Sequence, residues 1–157
     1  MRPFIFVFLL LSTAAVFAQD SQTTSCDFDD NMEVSVEYRT AAEEPHNGKV
    51  WMPGGAPLTL FTQVPLVLNN VTIPVGAYTM YVIPNRKDWT LIVSKNVTAG
   101  AKYDAAQDLV RAPMELGEIG QAAATVEVAL AHVGPKACNF RIYYGKTGAF
   151  AEFAEKK

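Results

Sequence analysis

The sequence predicts an all-β fold, an antiparallel β-sandwich or barrel of about nine to ten short strands in a single domain. Apolar and polar side chains alternate with a period of two in several segments, which is typical of strands with one buried face. Gly, Pro and Asn cluster between these segments, and no long segment has the apolar period of a helix. Half of the 157 residues are apolar, so the chain has enough apolar material for a core and is not of the disordered class.

The beginning of the chain is predicted to lie outside this domain. Residues 1–18 have the pattern of a secretory signal peptide: Arg2, an unbroken apolar run over residues 4–11, and Val16-Phe17-Ala18 as a cleavage site. The alternative is an uncleaved membrane anchor, but the apolar run is shorter than the roughly 20 residues that a membrane span needs. We therefore expect a periplasmic or extracellular protein with no stable membrane insertion after cleavage.

Residues 19–31 are predicted to form a polar, acidic arm that precedes a β-sandwich domain over residues 32–157. The arm contains Cys26, and the only other cysteine is Cys138. An oxidising compartment would allow these two thiols to form a disulfide that ties the arm to a late strand. The alternative is a pair of free thiols, one of them buried.

The first half of the domain shows its strands in order. Residues 32–39 alternate strictly, with Met32, Val34, Val36 and Tyr38 on one face, and predict a strand with one buried side. The polar loop between the last two segments of this half predicts a β-hairpin. The further predicted strands of this half are residues 49–52, 58–63, 64–68, 71–73, 77–83 and 89–94.

The second half begins with the least β-like segment, residues 96–106, and residues 103–108 predict a helical turn. Four further strands follow, and Gly145 and Gly148 bound the turn between the last two. These strands are residues 109–116, 123–133, 138–144 and 149–153.

Several short motifs carry a family resemblance. They are Gly48-Lys49-Val50-Trp51, Gly54, Thr59, Ile73-Pro74-Val75-Gly76-Ala77-Tyr78, Ile83-Pro84, Trp89 and Tyr103-Asp104. In this order they resemble the domain-of-unknown-function 2911 family of small exported β-domains, over about residues 34–116. The resemblance implies a β-fold and export, and it implies no activity. Relatives carry arginine, asparagine and glutamate where this chain has Met52, Ala56 and Pro57.

Charge and ligand chemistry exclude several function classes. The formal net charge is −3, and no basic stripe of the kind that binds nucleic acid is present. The only histidines, His46 and His132, are far apart in sequence, and no short-spaced metal-ligand pair exists. We therefore predict no metal site, no cofactor and no nucleic-acid partner.

Two functional hypotheses follow. The first is a non-catalytic binding module for a glycan or another envelope protein, because no catalytic signature accompanies the many Tyr and Trp residues. We expect Trp51 and Trp89 to lie mainly in the core, although Trp51 is also a candidate binding residue. The alternative is a small secreted hydrolase that uses His46, His132, Asp88 and Asp104. The candidate binding residues are Trp51, Gly54, Gly55, Arg86, Lys87 and Tyr103.

Overall fold

A computed structural model describes residues 21–157, so the predicted signal peptide lies outside the described residues. All strand pairings are antiparallel, and the strands form one sheet in the order β1-β2-β3-β6-β7-β8-β9-β4-β5. The all-β prediction is confirmed. The strands are β1 (Ser21–Asp27), β2 (Glu33–Arg39), β3 (Leu58–Thr62), β4 (Leu66–Leu68), β5 (Val71–Ile73), β6 (Gly76–Pro84), β7 (Trp89–Ser94), β8 (Asp108–Gly134) and β9 (Ala137–Glu155).

Strand β8 joins two parts of the sheet. Its first residues, 108–114, pair with β7, and residues 115–134 pair with β9. The sheet curls until β1 lies beside the later part of β8, where the Leu130 amide donates a hydrogen bond to Thr24 Oγ1 at 3.1 Å. The inner face of this curled sheet encloses the core.

Strand β9 doubles back on itself. Its 19 residues would span about 60 Å if they were straight, yet the Glu155 amide donates to the carbonyl of Lys136 at 2.8 Å. The bend falls near Gly145, whose φ of 57° is costly for other residues. The sequence predicts separate strands on either side of these glycines, and the structure has one bent strand with its bend at the same place.

Two predicted segments differ from the structure. Residues 21–27, which the sequence assigns to the polar arm, form β1 and pair with β2 along its whole length. The alternating pattern of a strand is absent from these residues, because Gln22 and Thr24 lie on the inner face of β1, where apolar residues are expected. The strand predicted at residues 49–52 is reduced to one bridge between Trp51 and Val82, because Pro53 and the following glycines end it.

The core is apolar and rich in aromatic contacts. Trp51 and Trp89 are buried and meet edge to face, with ring centroids 5.7 Å apart, so their expected place in the core is confirmed. Phe140 and Phe153, from the two halves of β9, meet inside the bend at 6.3 Å. Within residues 21–157 no helix is long and apolar enough to cross a membrane.

The predicted disulfide is confirmed. Cys26 in β1 is bonded to Cys138 in β9, and both residues are buried. The bond joins residues that are 112 positions apart, and it lies where the edge strand β1 approaches the β8–β9 pair. It therefore fastens the free edge of the curled sheet.

Replacing both cysteines, Cys26→Ser with Cys138→Ser, should lower the free energy of unfolding by about 4–5 kcal/mol, because the unfolded chain regains the entropy of a long open loop. Urea unfolding followed by tryptophan fluorescence measures the loss, and reduced wild-type protein should match the variant. Equal stability of the oxidised protein and the variant would show that the bond does not fasten the edge strand.

Candidate functional site

A loop covers the outer face of the sheet at β6 and β7. Tyr81 and Ile92 are cross-strand partners on this outer face of β6 and β7, yet only 3% and 0% of their surfaces are exposed. The segment of residues 95–107, called here the covering loop, lies over this face. Its ends are held by bonds from the Lys95 amide to the Gln107 carbonyl at 2.9 Å and from Thr79 Oγ1 to the Asn96 carbonyl at 2.7 Å.

Tyr103 fastens the covering loop to β8. Its ring meets that of Tyr81 at 5.0 Å, and its hydroxyl donates to Asp108 Oδ2 at 2.7 Å. Arg111 completes a triangle, since Nη2 donates to the Tyr103 hydroxyl at 2.6 Å and Nε donates to Asp108 Oδ2 at 2.8 Å. We call Tyr103, Asp108 and Arg111 the tyrosine clasp.

The clasp keeps the tyrosine protonated. Burial raises the pKa of Tyr103, and the hydrogen bond to Asp108 raises it further. The same carboxylate, through its hydrogen bond, raises the pKa of Arg111. At neutral pH the Tyr103 hydroxyl is therefore a fixed donor that holds the loop, and it is not a base or a nucleophile.

An open cleft lies between the covering loop and the 3₁₀ turn Pro53–Gly55. Its larger cavity has a volume of about 540 Å³ and its neighbour about 300 Å³, and the two share Arg39, Pro57 and Gly100 in their walls. This size is within the roughly 300–1,000 Å³ range of ligand sites. The larger cavity is lined by Arg39, Val50, Met52, Gly55, Ala56, Pro57, Gly100, Ala101, Lys102 and Tyr103.

Gly54 brings the turn against the end of β2. Its φ is 77°, and a Cβ atom there would lie 1.9 Å from the carbonyl oxygen of Arg39. Gly55 has a similar φ of 75°, but nothing lies within 4 Å of its Cβ position. Gly54 therefore allows a close backbone approach that sets one cleft wall, whereas Gly55 borders the cavity itself.

The structure places three of the six sequence-predicted binding residues at the cleft and the other three elsewhere. Gly55 and Tyr103 line the larger cavity, and Gly54 supports its wall. Trp51 is only 4% exposed and donates from Nε1 to the Glu43 carbonyl at 3.1 Å, so its ring has little free face for a ligand. Arg86 and Lys87 are exposed in the loop between β6 and β7 and line neither cavity of the cleft.

Eight of the ten residues that line the larger cavity are absent from the sequence-predicted site, among them Arg39, Met52 and Lys102. Lys102 lies in the covering loop beside the motif Tyr103-Asp104, but no residue pattern indicated the lysine itself. For Met52 a signal exists, because Met52, Ala56 and Pro57 are the positions where the chain departs from the family pattern, and all three line the larger cavity.

The four residues of the hydrolase hypothesis belong to separate local structures. His132 Nε2 lies 3.2 Å from Asp29 Oδ1, near the beginning of β2. His46 lines a small cavity of about 200 Å³ with Gly55, near the other end of β2. Asp104 accepts a hydrogen bond from the Ala106 amide at 3.0 Å, and Asp88 is exposed in the β6–β7 loop. The four side chains therefore do not form a common active site, and the placement does not support the hydrolase hypothesis.

The variant Gly54→Ala should be destabilised by several kcal/mol more than Gly55→Ala. Both residues need a left-handed backbone, which costs roughly 1–2 kcal/mol for alanine, but only Gly54 also meets a backbone oxygen. Thermal unfolding of the two variants measures the difference. Equal losses would mean that the turn does not press against β2.

The variant Tyr103→Phe should lose about 1–3 kcal/mol of stability at neutral pH, because the hydroxyl bonds to Asp108 and Arg111 are gone. The raised pKa of Tyr103 favours the folded state below its ordinary value of 10.0, and this contribution disappears as the pH rises through the raised value. The stability gap between wild type and variant, from urea unfolding, should therefore shrink above about pH 10. A gap that is constant with pH would contradict the clasp.

Comparison with curated proteins found no match, and comparison with solved structures found none either. A family model described as "Protein of unknown function (DUF2911)" matches residues 21–152. The match extends beyond the motifs that carry the resemblance, and it includes the whole of β1 and β8 and most of β9. Since it covers most of the chain, the protein belongs to the DUF2911 family.

Proposed function

We propose that this protein is an exported, non-catalytic binding domain whose cleft holds an extended segment of another envelope protein. The disulfide Cys26–Cys138 supports export, because such bonds persist in oxidising compartments. The observation that carries the proposal is the lining of the larger cavity, which combines apolar side chains with two cationic ones.

Apolar groups at the cleft are exposed to water. Met52 is 41% exposed and lines the larger cavity, and Val97 is 55% exposed and lines the adjoining one. Exposed apolar side chains that gather at a concavity mark surfaces that bind partners. A partner that inserts an apolar side chain between them would remove both from water.

The charge of the larger cavity favours a partner that carries an acidic residue next to that apolar side chain. Arg39 and Lys102 line the larger cavity, and no acidic side chain of the described residues does. A peptide that carries Asp or Glu beside an apolar residue complements both features. A sugar is less suited, because Tyr103 is the one aromatic residue in the described part of the chain that lines the larger cavity, and its hydroxyl is already bonded to Asp108.

The lining also argues for binding without catalysis. The described residues that line the larger cavity include no Ser, Thr, Cys, His, Asp or Glu, and the Tyr103 hydroxyl is already bonded to Asp108, so the lining offers no hydroxyl or thiol nucleophile beside a free base. The adjoining cavity has one carboxylate from the described residues, that of Glu37, and this group already accepts a hydrogen bond from Ser21 Oγ. Where the family pattern has polar groups, Met52, Ala56 and Pro57 make the wall apolar.

Selection of short random peptides displayed on phage against the immobilised protein should return sequences with an apolar residue beside Asp or Glu. Binding of such a peptide, measured by calorimetry, should weaken roughly tenfold or more in Met52→Asp and in Lys102→Glu. Both changes place a negative charge where the peptide carries one.

The matched control is Val75→Asp, which changes an apolar residue that is 56% exposed and outside the cleft. Its peptide affinity should equal that of wild type. Peptides that bind Met52→Asp as tightly as wild type, or a preference for basic peptides, would overturn the proposal.

A further inference from the structure

A second concavity lies on the outer face of β8 and β9, away from the cleft. It has a volume of about 550 Å³ and lies where β9 doubles back, so that both halves of the strand contribute side chains. Its lining includes Glu115, Asn139, Arg141, Tyr143, Phe150 and Glu152. We call it the β9 groove, and it shares no lining residue with the cleft.

Two aromatic rings, Tyr143 and Phe150, lie in this groove with an angle of 73° between their planes. A Cβ atom on Gly148 would lie 2.9 Å from Phe150 Cζ and 3.2 Å from Tyr143 Cδ1, and one on Gly117 would lie 3.2 Å from Phe150 Cε2. The rings therefore rest directly on backbone that carries no side chain. Their centroids are 6.1 Å apart, and both residues remain partly exposed.

Polar groups with unused hydrogen-bonding capacity surround the rings. Arg141 Nε donates to Asn139 Oδ1 at 3.0 Å, which fixes the guanidinium and leaves its terminal N–H groups for a ligand. Glu115 stands opposite Phe150 in the strand register, and Glu152 is two residues further along the same face. Among residues 21–157, neither carboxylate has a hydrogen-bond or ion-pair partner.

We propose that the β9 groove binds a neutral saccharide. The C–H face of a sugar ring packs on aromatic rings, while its hydroxyls donate to carboxylates and accept from guanidinium and amide groups. Two carboxylates against one guanidinium leave the groove net negative, which disfavours acidic sugars. The proposal does not depend on peptide binding in the cleft, since the two sites share no residues.

The test is an NMR titration of the isotope-labelled protein with maltose, cellobiose and N,N′-diacetylchitobiose, and with galacturonic acid as the acidic comparison. At least one neutral disaccharide should shift the amide signals of residues 115–119, 139–143 and 150–152. Its affinity should fall roughly tenfold or more in Arg141→Ala, which removes a charged donor. It should also fall in Glu152→Gln, which keeps the shape of the side chain.

The control is Phe61→Ala, which removes a side chain that is 42% exposed on a different part of the sheet. This variant should bind the disaccharide as wild type does. The proposal is overturned if no neutral disaccharide binds, if the shifts map to the cleft around Met52, or if galacturonic acid binds more tightly. It is also overturned if a peptide selected on the cleft shifts the groove signals. A shift at Met52 with the disaccharide, or a groove shift with the peptide, would also count against the proposed function, whereas the other two results would leave it in place.

Discussion

The structure depends on one strand that serves both parts of the sheet. Strand β8 pairs with β7 at its beginning and with β9 over the rest, so the sheet has to curl rather than extend. This curling lets a single layer of strands enclose its own apolar face, where residues such as Leu60, Leu91 and Phe140 are fully buried. The core, the edge strand β1 and the disulfide all follow from that closure.

Because the inner face is filled by the core, both proposed ligand sites lie on the outer face. Two additions shape that face. The covering loop packs on the outer side of β6 and β7 and makes one wall of the cleft, and Tyr103 holds it there. The bend of β9 makes the second concavity by bringing Tyr143 and Phe150 together. Both sites thus arise from departures from a regular sheet.

Much of the fold was readable from the sequence, because alternation reports one buried face. The segments that became β2, β6 and β7 alternate or are uniformly apolar, and the predicted hairpin is present. Strand β1 was not predicted, because its inner face carries the polar residues Gln22 and Thr24. Its pairing with β2 and the disulfide of Cys26 hold it in the sheet. The bend in β9 and the register shifts of β8 between residues 118 and 127 were predicted as breaks between strands, since local pattern does not show whether pairing continues across an irregularity.

The proposed site in the cleft could be predicted from the sequence only in part. Tyr103 belongs to a motif of the family resemblance and Gly55 follows the motif residue Gly54, and both line the cleft. Arg86 and Lys87 lie instead in the β6–β7 loop. Trp51 is buried in the core and has little surface left to contact a ligand. Lys102 reaches the cleft only through the path of the covering loop, and the β9 groove requires the strand to double back. Such long-range placements depend on tertiary structure and leave no periodic signal.

A signal from Met52 itself tests most directly whether the cleft binds a partner. The chain has five methionines, and their methyl groups can be observed separately by NMR after isotope labelling. Addition of a peptide selected on the protein should shift the Met52 signal and leave those of the buried Met80 and Met114 in place. A peptide that binds without moving the Met52 signal, or that moves the core methionines equally, would contradict binding in the cleft.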